Sequence, residues 1–252
     1  MSEPTYTPGR FVWYELMSSD TERSAAFYTE LFGWTISQME MPKGVYHVLR
    51  EGEDGIAGMY AIPEGEAIPD HWIGYISGEP DSVAARTRAF EGQVLVPPQT
   101  VPEVGKMTVL MDPQGAAIAA FKGDAGDPAP KVPVPAGRFC WSHLSSTKVI
   151  GSQAYYQMAF RMKAGMPTES GMVMLSAPDG GEVASIAAAP EGTPSSWLHY
   201  VVVSDLAAAT AKAKALGATI LSDNEEYPGI GRGTIFADPT GAVLAMFTPL
   251  KA

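Results

Sequence analysis

A carboxylate and an imidazole stand at corresponding places in a repeated stretch of this chain. Gly9-Arg-Phe-Val-Trp-Tyr-Glu-Leu16 returns 128 positions later as Gly137-Arg-Phe-Cys-Trp-Ser-His-Leu144, so that Glu15 aligns with His143. Both side chains can exchange protons near neutral pH when their surroundings tune them, and together they form the acid–base candidate of the chain. Each also has a plainer reading. A carboxylate on an aromatic-rich strand face costs on the order of several kcal/mol if left dry and unpaired. Glu15 is therefore expected to pair with Arg10 or another neighbour, or to stand at an exposed strand end, unless it is functional. His143 reads either as a satisfied core or rim residue or as a catalyst.

Aromatic side chains surround these positions in the sequence. Alternation along a strand puts Phe11 and Glu15 on the face of Trp13, and Phe139 and His143 on the face of Trp141. Trp72-Ile-Gly-Tyr75 is answered by Trp197-Leu-His-Tyr200, and Ala119-Ala-Phe121 by Ala245-Met-Phe247. Tyr75 and Tyr200 either line a pocket, donating one hydrogen bond each, or pack in the core. Trp13, Trp141, Phe121 and Phe247 would wall such a pocket, and the small Ala119 and Ala245 would leave room in it. By the same alternation His199 falls on the opposite face, as packing or surface. His47 and His71 are placed at strand starts near loops, in solvent. Cys140, the single cysteine, lies between two aromatics in a strand and reads as a buried, inert thiol. Gly229-Ile-Gly-Arg-Gly233 precedes a strand, so it lacks the helix N-terminus of a phosphate loop and reads as a tight turn. The methionines from Met158 to Met174 serve as an adaptable apolar lining or as core filling.

The elements that must carry these residues follow from caps and periodicity. Arg10–Leu16 has strand character. Asp20 caps a helix whose first turn holds Glu22, whose apolar face holds Phe27, Tyr28, Leu31 and Phe32, and which Gly33 ends. Short strands follow at 34–41, 45–50 and 56–62, split at Pro42-Lys-Gly44 and at Glu51-Gly-Glu-Asp-Gly55. A strand at 71–77 and a helix at 80–90 repeat the opening, with strands at 93–96, 106–111 and 116–122. Asp112-Pro-Gln-Gly115 joins the last two as a turn, and Asp238-Pro-Thr-Gly241 answers it in the second half. A second alanine-rich helix runs from 206 to 216. The reading is α+β: four βαβββ modules in two tandem domains, residues 1–123 and 137–252, joined by a proline-rich linker at 124–136.

Seventeen basic against 28 acidic side chains give a net charge of −11, which disfavours nucleic acid and anionic membranes as partners. The chain opens without a basic, apolar leader and holds no apolar run of membrane-spanning length. A soluble, cytoplasmic protein is expected, as a monomer or homodimer with a small-molecule ligand as its partner.

The repeated strand and helix ending in Ala-Ala-Phe-Tyr28, the Asp-Pro-x-Gly turn of each half and the strand entering Ser204-Asp-Leu206 resemble the vicinal oxygen chelate superfamily. It includes glyoxalase I, bleomycin resistance proteins and extradiol dioxygenases, and the tandem glyoxalase-like proteins of bacteria look most similar. The resemblance implies modules paired around a cup, and in metal-dependent members a divalent ion held by His, Glu or Gln from first and last strands. The matching positions here are Trp13, Gly58 or Met59, Ile73 and Ala119, and Trp141, Ser185 or Ile186, Leu198 and Ala245. None suits a metal. The expectation is thus a glyoxalase- or bleomycin-resistance-type protein binding an aromatic or apolar molecule in a metal-free cup, with no cofactor. The alternatives are a lyase- or hydroxylase-type enzyme using Glu15 and His143 or an unconventional divalent metal site, and a scaffold that keeps only the fold.

Overall fold

The computed structural model describes residues 3–41 and 44–250. The chain-start reading at Met1 and Ser2, the domain limit at Ala252 and the first two residues of the Pro42–Gly44 break lie outside them.

The first module runs β1 (Phe11–Ser18), α1 (Thr21–Phe32), β2 (Thr35–Met41), β3 (Gly44–Glu51) and β4 (Asp54–Ala61). The second runs β5 (His71–Ser77), α2 (Pro80–Ala89), β6 (Gln93–Val101), β7 (Gly105–Met111) and β8 (Ala117–Gly123). The third comprises β9 (Phe139–Ser146), α3 (Val149–Phe160), β10 (Lys163–Ala164), β11 (Val173–Ser176) and β12 (Glu182–Ala188). The fourth comprises β13 (Ser196–Val202), α4 (Leu206–Ala215), β14 (Thr219–Tyr227), β15 (Gly231–Ala237) and β16 (Val243–Pro249). The βαβββ programme thus repeats four times, as the sequence predicts. Each half supplies one mixed eight-stranded sheet, in the orders β2-β3-β4-β1-β5-β8-β7-β6 and β10-β11-β12-β9-β13-β16-β15-β14. The fold is α+β with two tandem glyoxalase-like domains.

Local chemistry accounts for the elements. The Asp20 side chain accepts from the Arg23 backbone N–H at 3.0 Å, and Gly33 closes α1 in the left-handed region at φ 73°. The helix buries Ser24, Phe27, Tyr28 and Leu31, a stripe at three- and four-residue spacing. Asp112 holds its turn by accepting from the N–H groups of Gln114 at 2.8 Å and Ala116 at 2.9 Å; Asp238 does the same for Thr240, Gly241 and Ala242. Strand β6 runs to Val101, longer than its sequence signal, because it pairs with β7 on both sides of Pro97 and Pro98, which fall within a register shift between Val96 and Gln99.

By packing, the chain divides into two compact units: Met1–Trp13, Ile73–Ala129 and Ser142–Trp197 in one; Tyr14–Trp72, Pro130–Trp141 and Leu198–Ala252 in the other. In the first unit α2 and α3 share a core with β5, β7, β8, β9, β11 and β12, in which Tyr155, Tyr156 and Ile118 are fully buried. The Trp197 indole N–H donates to the Tyr156 hydroxyl at 2.8 Å, which donates onward to the Asp112 carboxylate at 3.1 Å. The second unit repeats half of this relay. Trp72 donates to the Tyr28 hydroxyl at 2.9 Å, while the buried Oδ2 of Asp238 makes no hydrogen bond and acts on Tyr28 through its charge, pushing that phenol up after burial itself. The repeated Tyr, Trp and Asp-Pro-x-Gly signals of the sequence are therefore structural pins.

Three local expectations are corrected. Phe11 leaves the face of Trp13: it packs edge-to-face on Trp197 at 5.3 Å and joins the first unit's core. Phe139 likewise stacks on Tyr14 at 3.8 Å in the second unit. Both residues open their strands, just after the backbone bonds of Gly9 and Arg10 to Ser77 and of Gly137 and Arg138 to Val202. Arg10 gives its guanidinium to Asp179, through Nε at 3.1 Å and Nη2 at 2.8 Å, so it is no dedicated partner for Glu15. His47 is not at a strand start in solvent; it lies inside β3, half-buried, with Nε2 3.2 Å from Gln38 and Nδ1 buried.

Candidate functional site

In the first unit, β5, β7 and β8 present an apolar face. Tyr75 pairs in register with Ala119 and Ser77 with Phe121, which puts Tyr75, Ala119 and Phe121 on one side of the sheet. Ile73, Tyr75 and Ala119 are buried there, and Trp13, Met107, Val109 and Phe121 pack on them half-buried. The Tyr75 and Phe121 rings meet edge-on at 6.3 Å. The alanine at 119 keeps this face low between larger side chains.

The second unit carries the equivalent face on β13, β15 and β16. Tyr200 pairs with Ala245, and Phe247 stands opposite Gly233. Tyr227, at the end of β14, lies 6.1 Å from both the Phe247 and the Tyr200 ring. A Cβ on Gly231 would sit 2.6 Å from the Phe247 ring, and one on Gly233 would sit 2.9 Å from the Tyr227 ring. The glycine run therefore does two things. Ile230 N–H bonding to the Tyr227 carbonyl makes the tight turn the sequence predicts, and the bare strand beyond it makes room for two rings. Tyr227 joins this candidate face through its ring and hydroxyl contacts, and repeat matching passes over it; the glycines are its signal in the sequence.

This face has a polar edge. The Tyr200 and Tyr227 hydroxyls lie 3.3 Å apart, Tyr227 donates to Glu225 Oε2 at 3.3 Å, and Ser222 donates to Glu225 Oε1. Burial, followed by the neighbouring Tyr227 and the Glu225 charge, pushes the Tyr200 phenol far above its usual range. Beneath it, the Cys140 thiol points at the Tyr200 carbonyl, 3.5 Å away, and burial pushes that thiol up to about 12, as an inert cysteine requires. Trp141, next along β9, is half-buried.

Glu15, on β1, and His143, on β9, belong to different sheets. Glu15 is half-buried and faces Gly58 of β4 in register. Tyr46 reaches over that glycine: an added Cβ at Gly58 would lie 1.8 Å from its hydroxyl. The Tyr46 and Tyr60 rings are 6.1 Å apart, and burial, then the charge of Glu15, raises Tyr60. His143 pairs in register with Ser185, and its Nδ1 is 2.8 Å from the Ser185 hydroxyl. Burial lowers its pKa and favours the neutral ring. His199 is fully packed, edge-on to Tyr14 at 4.9 Å, and burial lowers it to about 3. His71 starts β5 beside the Pro69 carbonyl. The methionines divide: Met162 is in the core, Met174 pairs with Ser185 on the sheet, and Met158 and Met166 are exposed.

A divalent ion does not fit the positions that the family resemblance assigns to it. Ala119 sits in an apolar cluster, the space over Gly58 is taken by a phenol, and the donor beside His143 is a serine hydroxyl. Among the described residues no group of three or more His, Cys, Asp or Glu side chains could hold a metal ion. A shallow groove of about 290 Å³ in the second unit, between Phe32, Gly137, Val202 and Lys212, contains none of these residues. No helix of the described residues is long and apolar enough to cross a membrane.

Comparison with known proteins agrees with this architecture. Residues 10–46 match the family model described as bleomycin resistance protein-like N-terminal. The chain is 29% identical over 253 residues to "Putative glyoxylase CFP32" of Mycobacterium tuberculosis, covering 97% of this chain and 96% of that protein. It is 26% identical to the anthracycline biosynthesis protein DnrV of Streptomyces peucetius, covering 94% and 92%. The Mn(II)-bound glyoxalase of Novosphingobium aromaticivorans shares the fold, with a TM-score of 0.66 at 15% identity over 98% of this chain and 83% of that one. Repeated modules, sheet order and the structural likeness together give the chain the fold of the vicinal oxygen chelate proteins, and its sequence is similar to glyoxalase- and bleomycin-resistance-type proteins.

Proposed function

We propose that this protein binds a small aromatic or apolar molecule on its ring-lined sheet faces, without a metal ion. One observation carries the reading: each of two faces sets tyrosine and phenylalanine around a buried alanine, Ala119 in one and Ala245 in the other. Flat rings over a small residue suit a planar apolar guest, with a few polar groups to orient it. A relative named for the biosynthesis of anthracyclines, a class of planar aromatic compounds, supports the same ligand class. The test is a thermal-shift screen of planar aromatic compounds, combined with metal analysis of protein purified without chelator. A ligand that binds the folded state raises the melting temperature by mass action. The expected result is stabilisation by aromatics that survives chelator and is lost in Phe247→Ala or Phe121→Ala. A stoichiometric divalent ion whose removal abolishes binding overturns the metal-free reading.

The pairing of His143 with Ser185 favours a second reading, a lyase- or hydroxylase-type enzyme. A neutral imidazole oriented through Nδ1 leaves Nε2 for proton exchange. Turnover found in a substrate screen would then fall by roughly a hundredfold or more in His143→Gln. Turnover unchanged in both His143→Gln and Glu15→Gln refutes it.

A further inference from the structure

The polar edge of the second unit's ring face has a direction, and the direction selects a ligand. Glu225 is an exposed carboxylate, so it accepts hydrogen bonds and donates none. Its Oε1 is held by the Ser222 hydroxyl, and its Oε2 accepts from Tyr227 at 3.3 Å. A phenol has one hydrogen. Because Tyr227 gives its hydrogen to Glu225, its oxygen can only accept from Tyr200, 3.3 Å away. Tyr200 in turn has spent its hydrogen. What it has left for anything lying on the face is an oxygen lone pair.

We infer that the face formed by Tyr200, Tyr227 and Phe247 binds a planar aromatic molecule carrying a hydrogen-bond donor, a hydroxyl or an N–H, which Tyr200 accepts. The inference rests on the aromatic-binding reading and adds to it the polarity of the recognised group. The rings supply the apolar contact, and Gly231 and Gly233 keep the strand bare so that Phe247 and Tyr227 can lie against it. The relay from Ser222 to Glu225 to Tyr227 fixes which way the last phenol points. The high pKa of Tyr200, caused first by burial, keeps its hydrogen on the oxygen for donation to Tyr227. A carbonyl or ether in the same place would meet a lone pair and lose its bond, leaving a buried acceptor unpaired.

The experiment titrates the full chain with a matched pair of probes, 2-naphthol and 2-methoxynaphthalene, by calorimetry. Wild type should bind the naphthol more tightly by roughly five- to tenfold, the worth of one neutral hydrogen bond. Tyr200→Phe should erase the difference while binding both. Tyr227→Phe and Glu225→Gln should narrow or reverse it, since either frees the Tyr200 hydrogen to turn towards the ligand. These two sites are half-buried and exposed, so their variants keep the test open if Tyr200→Phe fails to fold. Equal binding of both probes, or a preference that persists in Tyr200→Phe and Glu225→Gln, overturns the inference and leaves the aromatic-binding reading standing. Failure of both probes to bind wild type overturns both.

Discussion

Replacing Tyr156 with phenylalanine removes one oxygen from the centre of a buried relay, and its cost can be worked out bond by bond. The hydroxyl accepts from Trp197 at 2.8 Å and donates to Asp112 at 3.1 Å, with Tyr156 fully buried and Asp112 2% exposed. Losing a hydrogen bond to a charged group costs about 1.5–3 kcal/mol, and orphaning a buried N–H costs about 1–3 kcal/mol. Trp197 is only half-buried, so water recovers part of the second term. The net expectation is about 2–4 kcal/mol, which in a chain of this size lowers the melting temperature by roughly 5–15 °C. The loss should also depend on pH. Burial, against the hydrogen bonds, holds the Asp112 carboxyl above its ordinary value of 3.8. A raised folded-state pKa means that stability is fully present below the unfolded value and is lost as pH rises through the folded one. Removing the Tyr156 bond raises the folded value further, so the deficit should be larger at pH 7 than at pH 4. Urea unfolding at both pH values measures it, and a double-mutant cycle with Trp197→Phe isolates the coupling. A loss under about 0.5 kcal/mol at pH 7, or one that shrinks as pH rises, refutes the reasoning. Tyr28→Phe serves as the internal comparison. It should cost less, because Asp238 Oδ2 makes no hydrogen bond there.

Gly58→Ala places a methyl 1.8 Å from the Tyr46 hydroxyl, so Tyr46 must swing away from β4, at a cost of about 1–3 kcal/mol seen in the unfolding curve and a changed near-UV spectrum. An unchanged spectrum and stability would mean that Tyr46 does not lie there. Burial lowers His199 to about 3, so stability present above the unfolded value near 6.5 should fall as pH drops towards 3, by about 1.4 kcal/mol per pH unit. His199→Gln should flatten that slope, and an unaltered profile counts against a buried neutral imidazole. Cys140, pushed up to about 12, should resist iodoacetamide at pH 8 in folded protein and react once the chain is unfolded in urea. Rapid labelling of the native protein would contradict the raised pKa of this half-buried thiol.

Much of the fold was legible residue by residue. Asp20, Gly33 and the spacing of Phe27, Tyr28 and Leu31 set α1 through bonds and contacts within a few residues. Asp112 and Asp238 wrote their turns in four letters each. The matching of Trp72 with Trp197 and of Tyr28 with Tyr156 announced two copies of one architecture. The candidate site was legible only in part. Tyr200 and Phe247 stood out by repetition, but Tyr227 and Glu225 have no counterparts of their type in the other half, where Val101 and Gln99 occupy the matching rungs of β6. A search for repeats passes over what only one copy has.

The sequence by itself determined the elements, their order and their fourfold repetition, because caps, turn residues and periodicity act over three to seven residues. Only the tertiary structure decided who meets whom. Strand β1 lies between β4 and β5, and β5 beside β8, so the chain's neighbours in space are not its neighbours in sequence. That crossing order sets Gly58 opposite Glu15 and Ser185 beside His143, while packing of α3 and Trp197 with β7 and β8 in the first unit brings the Asp112 turn to Tyr156. Each of these contacts closes a loop of more than ten residues. Nothing in the local preferences of either end specifies such a contact; it forms because the packed sheets hold both ends in place.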